Sequence, residues 1–518
     1  MQEPQASWRD SLGAFSHPRV WVMVLLGFSA GIPILLIFSS LSLWLREAGV
    51  ERAAITFFSW AALGYSFKFV WAPLVDQLPI PWLSKALGRR RSWLLLAQFA
   101  IIAAIGAMAS IDPALGEGSQ TAMALAAVAL GFSSATQDIV IDAYRIEAAD
   151  SRLQSMLSAA YIAGYRVAMV VSGAGALVLA ASFGTALGDY QYTAWQATYW
   201  IMAAVMLVGV ITTLSIREPD ASAGRAYTRS VSEYLRFVVL FVLALVGFVL
   251  SFYFSSELAR ELKKSAASLL GNRALASFLV EFARLVVAVS VSLLIARLLL
   301  LIGLVQRAMV EDTYIAPVRD FFDRYGIKAA LFLLLLVGSY RISDIVLGVI
   351  SNVFYLDMGF SKEQIATAVK TFGVVMAIFG GFLGGLLALR FGVIRILFVG
   401  AALSAATNLL FLVLAQTGED LFWLYTVVAV DNLSAGLAGA AFVAFLSSLT
   451  SISFTAMQYA IFSSLMTLLP KVLGGYSGSM VDSIGYEGFF IFTALIGVPV
   501  LFLILMIGRW VQLDKPSE

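Results

Sequence analysis

Cysteine is absent from the 518-residue sequence, which excludes disulfide bonds and thiol chemistry. Histidine occurs only at His17, ahead of the first long apolar run, so imidazole ligands and imidazole catalysis are excluded from the apolar part of the chain. Charge is also scarce. Only 13% of the residues are charged and the net charge is +2, so a clustered basic surface for nucleic acid is not expected. We find no motif for a metal, a nucleotide or another cofactor.

Hydrophobic residues make up 60% of the chain, against about 45–50% in a soluble domain. The excess is collected in about fourteen runs that are each long enough to cross a membrane as a helix, which takes about 20 residues. The first run is too long for the core of a signal peptide, so we expect it to remain as a helix. In chain order the runs are Val20–Leu45, Ala53–Val75, Trp93–Ile111, Gln120–Ala143, Ser155–Ser182, Trp195–Ile216, Arg236–Phe254, Phe278–Leu304, Ala329–Phe354, Ile365–Leu389, Val393–Ala415, Leu421–Ser447, Ala456–Val481 and Gly488–Trp510.

These runs fall into groups of six, two and six. The order predicts an all-α integral membrane protein with the major facilitator fold, in which two six-helix halves surround a central cavity, plus an extra two-helix insertion. We expect the first half at residues 1–217, a linker with the extra hairpin at 218–305, a cytoplasmic linker at 306–328 and the second half at 329–518. A basic loop that contains glycine follows the second helix of each half, which supports an internal repeat.

The distribution of Lys and Arg places both termini in the cytoplasm. The loop Asp76–Ser92 is the clearest case, because it is strongly basic and becomes cytoplasmic in this orientation. The loop between the two extra helices conflicts with the rule, because it is basic but would lie outside. Its Glu257 and Glu261 lie within four residues of basic residues of the same loop, so we expect an interfacial helix with internal ion pairs.

Charged side chains inside spanning helices are costly, and they therefore mark candidate functional positions. The predicted spans hold five bases and four acids, close to the balance that pairing requires. They are Lys68, Asp138, Asp142, Arg166, Arg341, Asp344, Lys370, Asp431 and Lys471.

Asp138 and Asp142 are separated by four residues, which puts both carboxylates on one face of a helix. Two carboxylates in a poor solvent repel each other, so one of them should hold a proton near neutral pH, as proton coupling requires. Asp138 lies deeper and is the stronger candidate. For Asp142 the alternative is an ion pair with Arg145 or with the loop after Asp76.

Two arginines lie near the middle of their predicted spans. Arg166 could bind the carboxylate of a peptide or a sugar acid bidentately, or it could form a permanent salt bridge with Asp138. Arg341 and Asp344 are three residues apart and can pair within one helix. A proton on Asp344 would break that pair and free Arg341; a purely structural pair is the alternative.

Asp431 and Lys471 are expected at a similar depth in neighbouring spans, and Pro470 should bend the helix beside Lys471. Lys370 lies near the outer end of its span, where it could also snorkel to the interface. Aromatic rings suit a sugar ligand, although most tyrosines in spans pack or mark the interface. The tyrosine candidates are Tyr65, Tyr161, Tyr165, Tyr340 and Tyr459.

Several runs in both halves resemble the AmpG family of muropeptide permeases, and the resemblance covers essentially the whole chain. The run from Gln137 and Asp138 to Asp142 and Ala143 is the most specific of them. Gln137 and Gln458 lie in these runs and are further candidates for substrate binding. The runs are Ser134–Tyr144, Gly164–Gly173, Pro317–Phe322, Asp431–Gly436, Ala441–Leu446 and Phe454–Ala460.

The resemblance implies proton-coupled import of N-acetylglucosaminyl-1,6-anhydro-N-acetylmuramyl peptides from periplasm to cytoplasm by alternating access. It implies a role in peptidoglycan recycling, and through that pathway in β-lactamase induction and antibiotic resistance. The expected location is the bacterial inner membrane, and the expected active form is a monomer. The expected partners are the muropeptide, protons and the lipid bilayer. The extra hairpin departs from the plain twelve-helix pattern of the family.

Three other functions are compatible with the residues. A facilitator for another bulky polar metabolite, such as an acyl-coenzyme A or a peptide, would use the same architecture. A membrane-embedded transferase needs a catalytic base, and the spans contain neither His nor Cys. A sensor would bind its ligand without accumulating it.

Overall fold

The computed structural model describes residues 13, 16–50, 65, 67–150, 153–186, 188–220, 230–271, 273–474 and 476–510. Within these ranges the chain is helical and has no β-strand; Ala186 and Asp189 form an isolated bridge. Thirteen helical stretches there are long and apolar enough to cross a membrane, one for each predicted run except Ala53–Val75, most of which lies outside the described residues. The predicted all-α membrane fold is therefore confirmed.

The chain divides into two compact units. The first unit combines Met1–Gly224 with Asp320–Glu518 and so contains both predicted halves. The second unit is Arg225–Arg319, which contains the extra hairpin. The boundaries proposed for the two halves, at residues 217 and 329, stay predictions.

Ten α-helices form the described part of the first half, with 3-10 turns at Lys68–Val70 and Pro113–Leu115. A π-helical turn, Val171–Gly175, joins α7 to α8. The α-helices are α1 (Pro18–Ile37), α2 (Ser39–Glu47), α3 (Ala72–Gln77), α4 (Leu83–Leu87), α5 (Arg89–Ala109), α6 (Glu117–Glu147), α7 (Gln154–Val170), α8 (Ala176–Ser182), α9 (Tyr192–Val205) and α10 (Leu207–Ser215).

Helix α1 begins where the sequence supplies two start signals. Pro18 has a fixed φ and no N–H to satisfy, and the Nδ1 atom of His17 accepts a hydrogen bond from the backbone N–H of Arg19 at 3.2 Å. The helix ends at Phe38, whose φ of −102° and ψ of −88° are not helical. Together α1 and α2 make one apolar stretch of 30 residues, Pro18–Glu47, that is long enough to cross a membrane.

Helices α1 and α7 pack backbone to backbone. A Cβ atom on Gly164 would overlap the carbonyl oxygen of Val24, so only glycine allows this approach. The second half repeats the device between two other helices, where a Cβ on Gly436 would overlap the carbonyl oxygen of Ala377. The contacts fix each pair of helices at a short separation.

The second unit consists of the extra hairpin and the short segment that follows it. Its α-helices are α11 (Val231–Phe254), α12 (Ser256–Leu270), α13 (Arg273–Leu301) and α14 (Arg307–Val310), and the π turn Glu311–Ile315 follows them. Helix α11 begins with a capping box, in which Ser230 and Glu233 bond to each other's backbone N–H.

The charged residues of α12 pair only partly as the sequence predicts. Arg260 does form the expected internal pair with Glu257, at 3.2 Å. Lys263 instead pairs with Glu281 of α13, because α12 folds back along that helix. Leu258, with two further leucines of α12, is exposed, so the expected interfacial position of this helix stays a prediction.

The described part of the second half contains nine α-helices, with a π turn at Ala366–Phe372 and a 3-10 turn at Ile452–Phe454. Helix α15 is kinked at Gly326, where φ is +71°. The α-helices are α15 (Ala316–Ser339), α16 (Ile342–Asp357), α17 (Lys362–Ile365), α18 (Gly373–Phe391), α19 (Val393–Thr417), α20 (Leu421–Leu449), α21 (Thr455–Gly474), α22 (Ser477–Leu495) and α23 (Val498–Trp510).

The two halves meet through α7 and α18. The carbonyl oxygen of Ser155 lies 3.0 Å, and the Cβ of Ala159 3.1 Å, from the position that a Cβ on Gly385 would take. Helix α7 also contacts α20. Helices α7, α18 and α20 therefore pack against one another, and α1 packs against α7.

Candidate functional site

Arg90, the second residue of α5, is the centre of a buried ionic network. Its side chain is inaccessible to solvent and contacts two carboxylates, Asp76 of α3 at 2.7 Å and Glu147 at the end of α6 at 2.6 Å. Arg89 also lies near Glu147, at 3.5 Å. The basic loop predicted after the second helix therefore binds the ends of two other helices of the same half.

The same network reaches into the second half. Arg90 donates to the hydroxyl oxygen of Thr455 at 2.7 Å, and the Thr455 hydroxyl also contacts Glu147. Asp76 accepts a hydrogen bond from the backbone N–H of Met457 at 3.0 Å. We call Asp76, Arg90, Glu147 and Thr455 the latch, because they tie the halves together at one end of α6 and α21.

A second group of polar residues surrounds the part of α6 that precedes the latch. Asp142 contacts Lys68 at 3.7 Å and Arg145 at 3.4 Å, which confirms the expected pair with Arg145. Asp138 contacts no cation within 4 Å among the described residues, and its Oδ1 accepts a long hydrogen bond from Tyr161 at 3.5 Å. These five residues, Lys68, Asp138, Asp142, Arg145 and Tyr161, are the latch-side cluster.

Arg145 connects the latch-side cluster to the second half. It donates to Ser447 of α20 at 2.7 Å, and its guanidinium lies 5.2 Å from the ring centre of Tyr459. Tyr459 therefore lies at the cluster, where its ring packs against the guanidinium of Arg145. Its buried position leaves it no open face toward a sugar.

The remaining mid-span charges form a distal cluster, defined as Arg166, Arg341, Asp344 and Asp431. Arg341 lies at a break between α15 and α16 and pairs with Asp344 in the first turn of α16, as predicted. Asp431 of α20 accepts a hydrogen bond from Thr407 of α19 at 3.2 Å. Asp431 has no cation within 4 Å in the described part of the chain.

Arg166 does not form the salt bridge with Asp138 that one reading of the sequence predicts. It makes no hydrogen bond or ion pair with any residue that the structure describes, although the charges of Arg341 and Asp344 act on it across the boundary between the halves. A half-buried arginine without a partner is costly, because its charge is partly removed from water. An anion bound to Arg166 would offset this cost.

The two clusters differ in their access to solvent. The side chains of Lys68 and Asp142 are 9% and 10% exposed. Those of Arg341 and Asp344 are 30% and 21% exposed. The pair of the distal cluster is therefore more exposed than the pair beside the latch.

Two predicted lysines are not brought to either cluster. Lys370, in the π turn before α18, and Lys471 of α21 are both exposed, and neither makes an ion pair within the described ranges. Lys471 in particular does not pair with Asp431. Pro470 does lie inside α21, as expected.

The other polar candidates have structural partners. Gln137 accepts a hydrogen bond from Ser29 at 3.1 Å, and Tyr340 donates to the carbonyl oxygen of Leu397 at 3.0 Å. Gln458 accepts from Arg324 at 3.0 Å and donates to Asp320 at 2.8 Å. Tyr65 donates to Ser134 at 2.7 Å. Tyr161 and Tyr165 are half-buried, and their ring centres lie 6.1 Å apart.

The sequence reasoning missed Glu147, Thr455 and Thr407. Glu147 follows Asp142 by five residues on the same helix. An acid at a helix end that faces a predicted basic loop could have indicated this ion pair. Thr407 lies between Ser404 and Asn408 in a largely apolar span. Thr455 carries no signal, because threonine at a helix start usually caps the helix.

The helices and the comparison with solved structures define a multi-pass membrane protein with the major facilitator fold. The proton:xylose symporter XylE, bound to 6-bromo-6-deoxy-D-glucose, matches with a TM-score of 0.59 over 95% of each chain, at 14% identity. The transporter FucP in its outward conformation matches with a TM-score of 0.59 over 95% of this chain and 99% of that chain, at 11% identity.

The sequence relatives are more specific. The anhydromuropeptide permease of Escherichia coli strain K12 is 28% identical over 509 residues, 98% of this chain and 83% of the relative. Putative transporter AmpG 4 of Rickettsia felis is 29% identical over 498 residues, 96% of this chain and 98% of the relative. The chain is thus homologous to AmpG proteins over nearly its full length, and the resemblance predicted from the sequence is confirmed.

A family profile described as "Acetyl-coenzyme A transporter 1" matches residues 19–183, within the first half. It agrees with the other comparisons on the class of protein. The relatives and the fold are those of transporters and not of enzymes.

Proposed function

We propose that this protein imports an anionic muropeptide together with protons, by alternating access. The substrate class is suggested by the names of the full-length relatives, which include an anhydromuropeptide permease. Muropeptides combine sugar rings with peptide carboxylates. The site offers both kinds of contact, because Tyr161 and Tyr165 present half-buried rings near Arg166.

Arg166 is the observation that carries the proposal. It belongs to the first half, it has no partner among the described residues, and it lies near Arg341 and Asp344 of the second half. A substrate carboxylate bound to Arg166 and approached by Arg341 would contact both halves at once. Such a ligand favours states in which the halves are close, as alternating access around a central site requires.

Asp138 is our first candidate for the proton carrier, with Asp142 and Asp344 as rivals. A carboxylate that lacks a cation partner has less reason to stay ionised in a poor solvent. Asp138 meets this condition in the described part of the chain, whereas Asp142 has two cation partners and Asp344 has one. The geometry therefore favours Asp138 over its rivals.

In the proposed orientation the latch faces the cytoplasm, at the inner membrane of a bacterium. The structure then corresponds to a state closed toward the cytoplasm, in which substrate and protons arrive at the distal cluster from the periplasm. Inward release requires the latch to break. Lys471 would assist by holding a second anionic group of a long substrate.

The test is uptake of labelled anhydromuropeptide into proteoliposomes, with and without an inwardly directed proton gradient. We expect accumulation only with the gradient, and loss of the gradient effect in Asp138→Asn. Glu419→Gln, a change in the exposed loop before α20, is the matched control that should behave as wild type. Uptake that ignores the gradient in the wild type would overturn the symport proposal.

A second candidate function is transport of an acyl-coenzyme A, which the profile match over residues 19–183 favours. The same arginines could bind phosphate groups. Competition separates the candidates: excess unlabelled acetyl-coenzyme A should leave muropeptide uptake unchanged if the first proposal holds. Inhibition by acetyl-coenzyme A, together with its own gradient-driven uptake, would favour the second.

A further inference from the structure

We propose that the loop of residues 78–87 binds the membrane surface, by inserting the indole of Trp82 among the phospholipid headgroups of the leaflet at the latch end. This loop, which we call the surface loop, joins α3 to α5 and includes the short helix α4. Along the chain it separates two latch residues, Asp76 and Arg90. The proposal concerns a surface outside both charged clusters and holds whatever the substrate is.

The second half shows that the fold does not need the surface loop. There α18 ends at Phe391 and α19 begins at Val393, with Gly392 alone between them. Gly392 has a φ of 89° and a ψ of 148°, close to the φ of 88° and ψ of 171° of Gly88, which precedes α5. Both halves therefore enter the next spanning helix through the same glycine turn, and the ten residues 78–87 are an addition to the first half.

Trp82 is the most unusual residue of the surface loop. It is 87% exposed, and its φ of +68° is the one positive φ outside glycine in the described part of the chain. With its ψ of −48° and a hydrogen bond of 2.8 Å from the backbone N–H of Leu83 to the carbonyl oxygen of Pro81, it forms a γ-turn of the rare, strained kind. A large exposed ring on a strained backbone indicates that the ring has a binding function.

The rest of the surface loop holds that turn in place. Ser84 is buried, and its hydroxyl accepts a hydrogen bond from the backbone N–H of Ile80 at 3.0 Å. The backbone N–H of Ser84 donates in return to the carbonyl oxygen of Ile80, also at 3.0 Å. Trp93 donates to the carbonyl oxygen of Leu78 at 2.9 Å. Because Trp93 is the fifth residue of α5, the start of the surface loop lies beside the first turns of a spanning helix.

This level of α5 is the border of its apolar part. The helix opens with three arginines, and Trp93 begins the apolar run that follows them. Trp21, the fourth residue of α1, lies at the same end of the bundle and is 63% exposed. Exposed indoles at a helix end are typical of the border between headgroups and water, because the ring is apolar and its N–H is polar.

A phospholipid is therefore the partner that fits the surface loop. An indole at the apolar border is buried by the headgroup region of the adjoining leaflet. Lys85 is also exposed and lies one turn after Trp82, where its ammonium group can contact a lipid phosphate. The added loop thus supplies one apolar and one cationic contact to the same class of ligand.

The test measures the depth of the surface loop in vesicles of phosphatidylcholine and phosphatidylglycerol. Because the chain lacks cysteine, Trp82→Cys carries a single polarity-sensitive fluorophore. We expect blue-shifted emission, and stronger quenching by a lipid nitroxide near the headgroup than by one near the chain end. Asp150→Cys, at an exposed position just beyond α6 at the latch end, is the control and should be quenched by aqueous iodide instead.

Pro81→Cys provides a second probe that keeps the indole of Trp82. It should give the same order of quenching as the probe at residue 82. If both probes match the Asp150 probe in emission and in iodide quenching, the surface loop lies in water and the proposal is wrong; a soluble partner would then be the remaining occupant. Strongest quenching from the chain end would equally contradict a headgroup position. The thermal midpoint of each labelled variant, compared with that of the unlabelled parent, establishes that the fold is intact.

Discussion

In the latch-side cluster two bases share Asp142 and little solvent reaches them, whereas in the distal cluster Arg166 and Asp431 stand apart and the neighbouring pair is partly exposed. Both clusters contain two acids and two bases. The difference lies in how the charges are paired. A charge that is already paired, as that of Asp142 is, has little affinity for further ions, whereas a separated charge could take up a ligand or a proton.

Replacement of Arg166 in the distal cluster should have the largest effect on transport. Arg166→Gln keeps hydrogen-bonding capacity but removes the charge, so we expect initial uptake of muropeptide to fall by about 100-fold or more, the size of a lost charge-assisted contact in a dry site. Lys370→Gln removes another span cation that lacks a described partner and is the control. Uptake by Arg166→Gln within threefold of wild type would remove Arg166 from the substrate site.

Replacement of Asp142 tests whether the latch-side cluster is structural. Asp142→Asn leaves Lys68 and Arg145 as buried cations without their shared acid, so we expect a loss of about 3–5 kcal/mol in the free energy of unfolding. The thermal midpoint in detergent should fall sharply. Asp138→Asn, on the same face one turn away, is the matched control and should retain most of the stability. Equal midpoints would show that the two acids play the same part.

The latch can be weakened without touching either cluster. Arg90→Gln removes the contacts with Asp76 and Glu147, so the state open at the latch end should become more populated. Because the chain lacks cysteine, a single Ala159→Cys probe between the halves reports this opening through maleimide labelling. We expect labelling more than about 100-fold faster than in the Arg90 parent, because breaking a buried ion pair costs about 3–5 kcal/mol.

A second probe controls for general loosening in the latch experiment. Ser215→Cys, on an exposed position at the end of α10, should label at the same rate in both backgrounds. If Ala159→Cys labels equally slowly with and without Arg90, the network is not what keeps the halves together.

The smallest expected effect comes from Thr407. Thr407→Val removes one hydrogen bond to Asp431, so the free energy of unfolding should fall by about 1 kcal/mol. Thr407→Ser keeps the hydroxyl and should leave the thermal midpoint in detergent unchanged. A midpoint of Thr407→Val equal to that of the wild type would show that this hydrogen bond does not contribute to stability.

Much of the fold follows from the sequence because spanning helices are set by local composition. Thirteen of the fourteen predicted runs coincide with described helices, since each needs only its own apolar residues. Pairings within a helix, such as Arg341 with Asp344, are also predictable because the spacing alone brings them together.

Contacts between helices were harder to predict. Whether Arg166 pairs with Asp138 depends on which way α7 faces. The sequence allowed this pair, and the structure does not form it. Gln458 lies in a distinctive run, yet its amide bonds to Asp320 and Arg324, which are more than 130 residues away. Depth along a span is readable from the sequence, while rotation about the helix axis depends on packing.

The close backbone contacts of α1 with α7, and of α18 with α20, bear on how the protein can move. Where a carbonyl oxygen occupies the place of a side chain, neighbouring helices cannot slide without collision. Each half should then turn as a solid body, and the change of state must be concentrated where α7 meets α18 and at the latch. Small substitutions at that seam should alter the speed of turnover while leaving ligand affinity untouched.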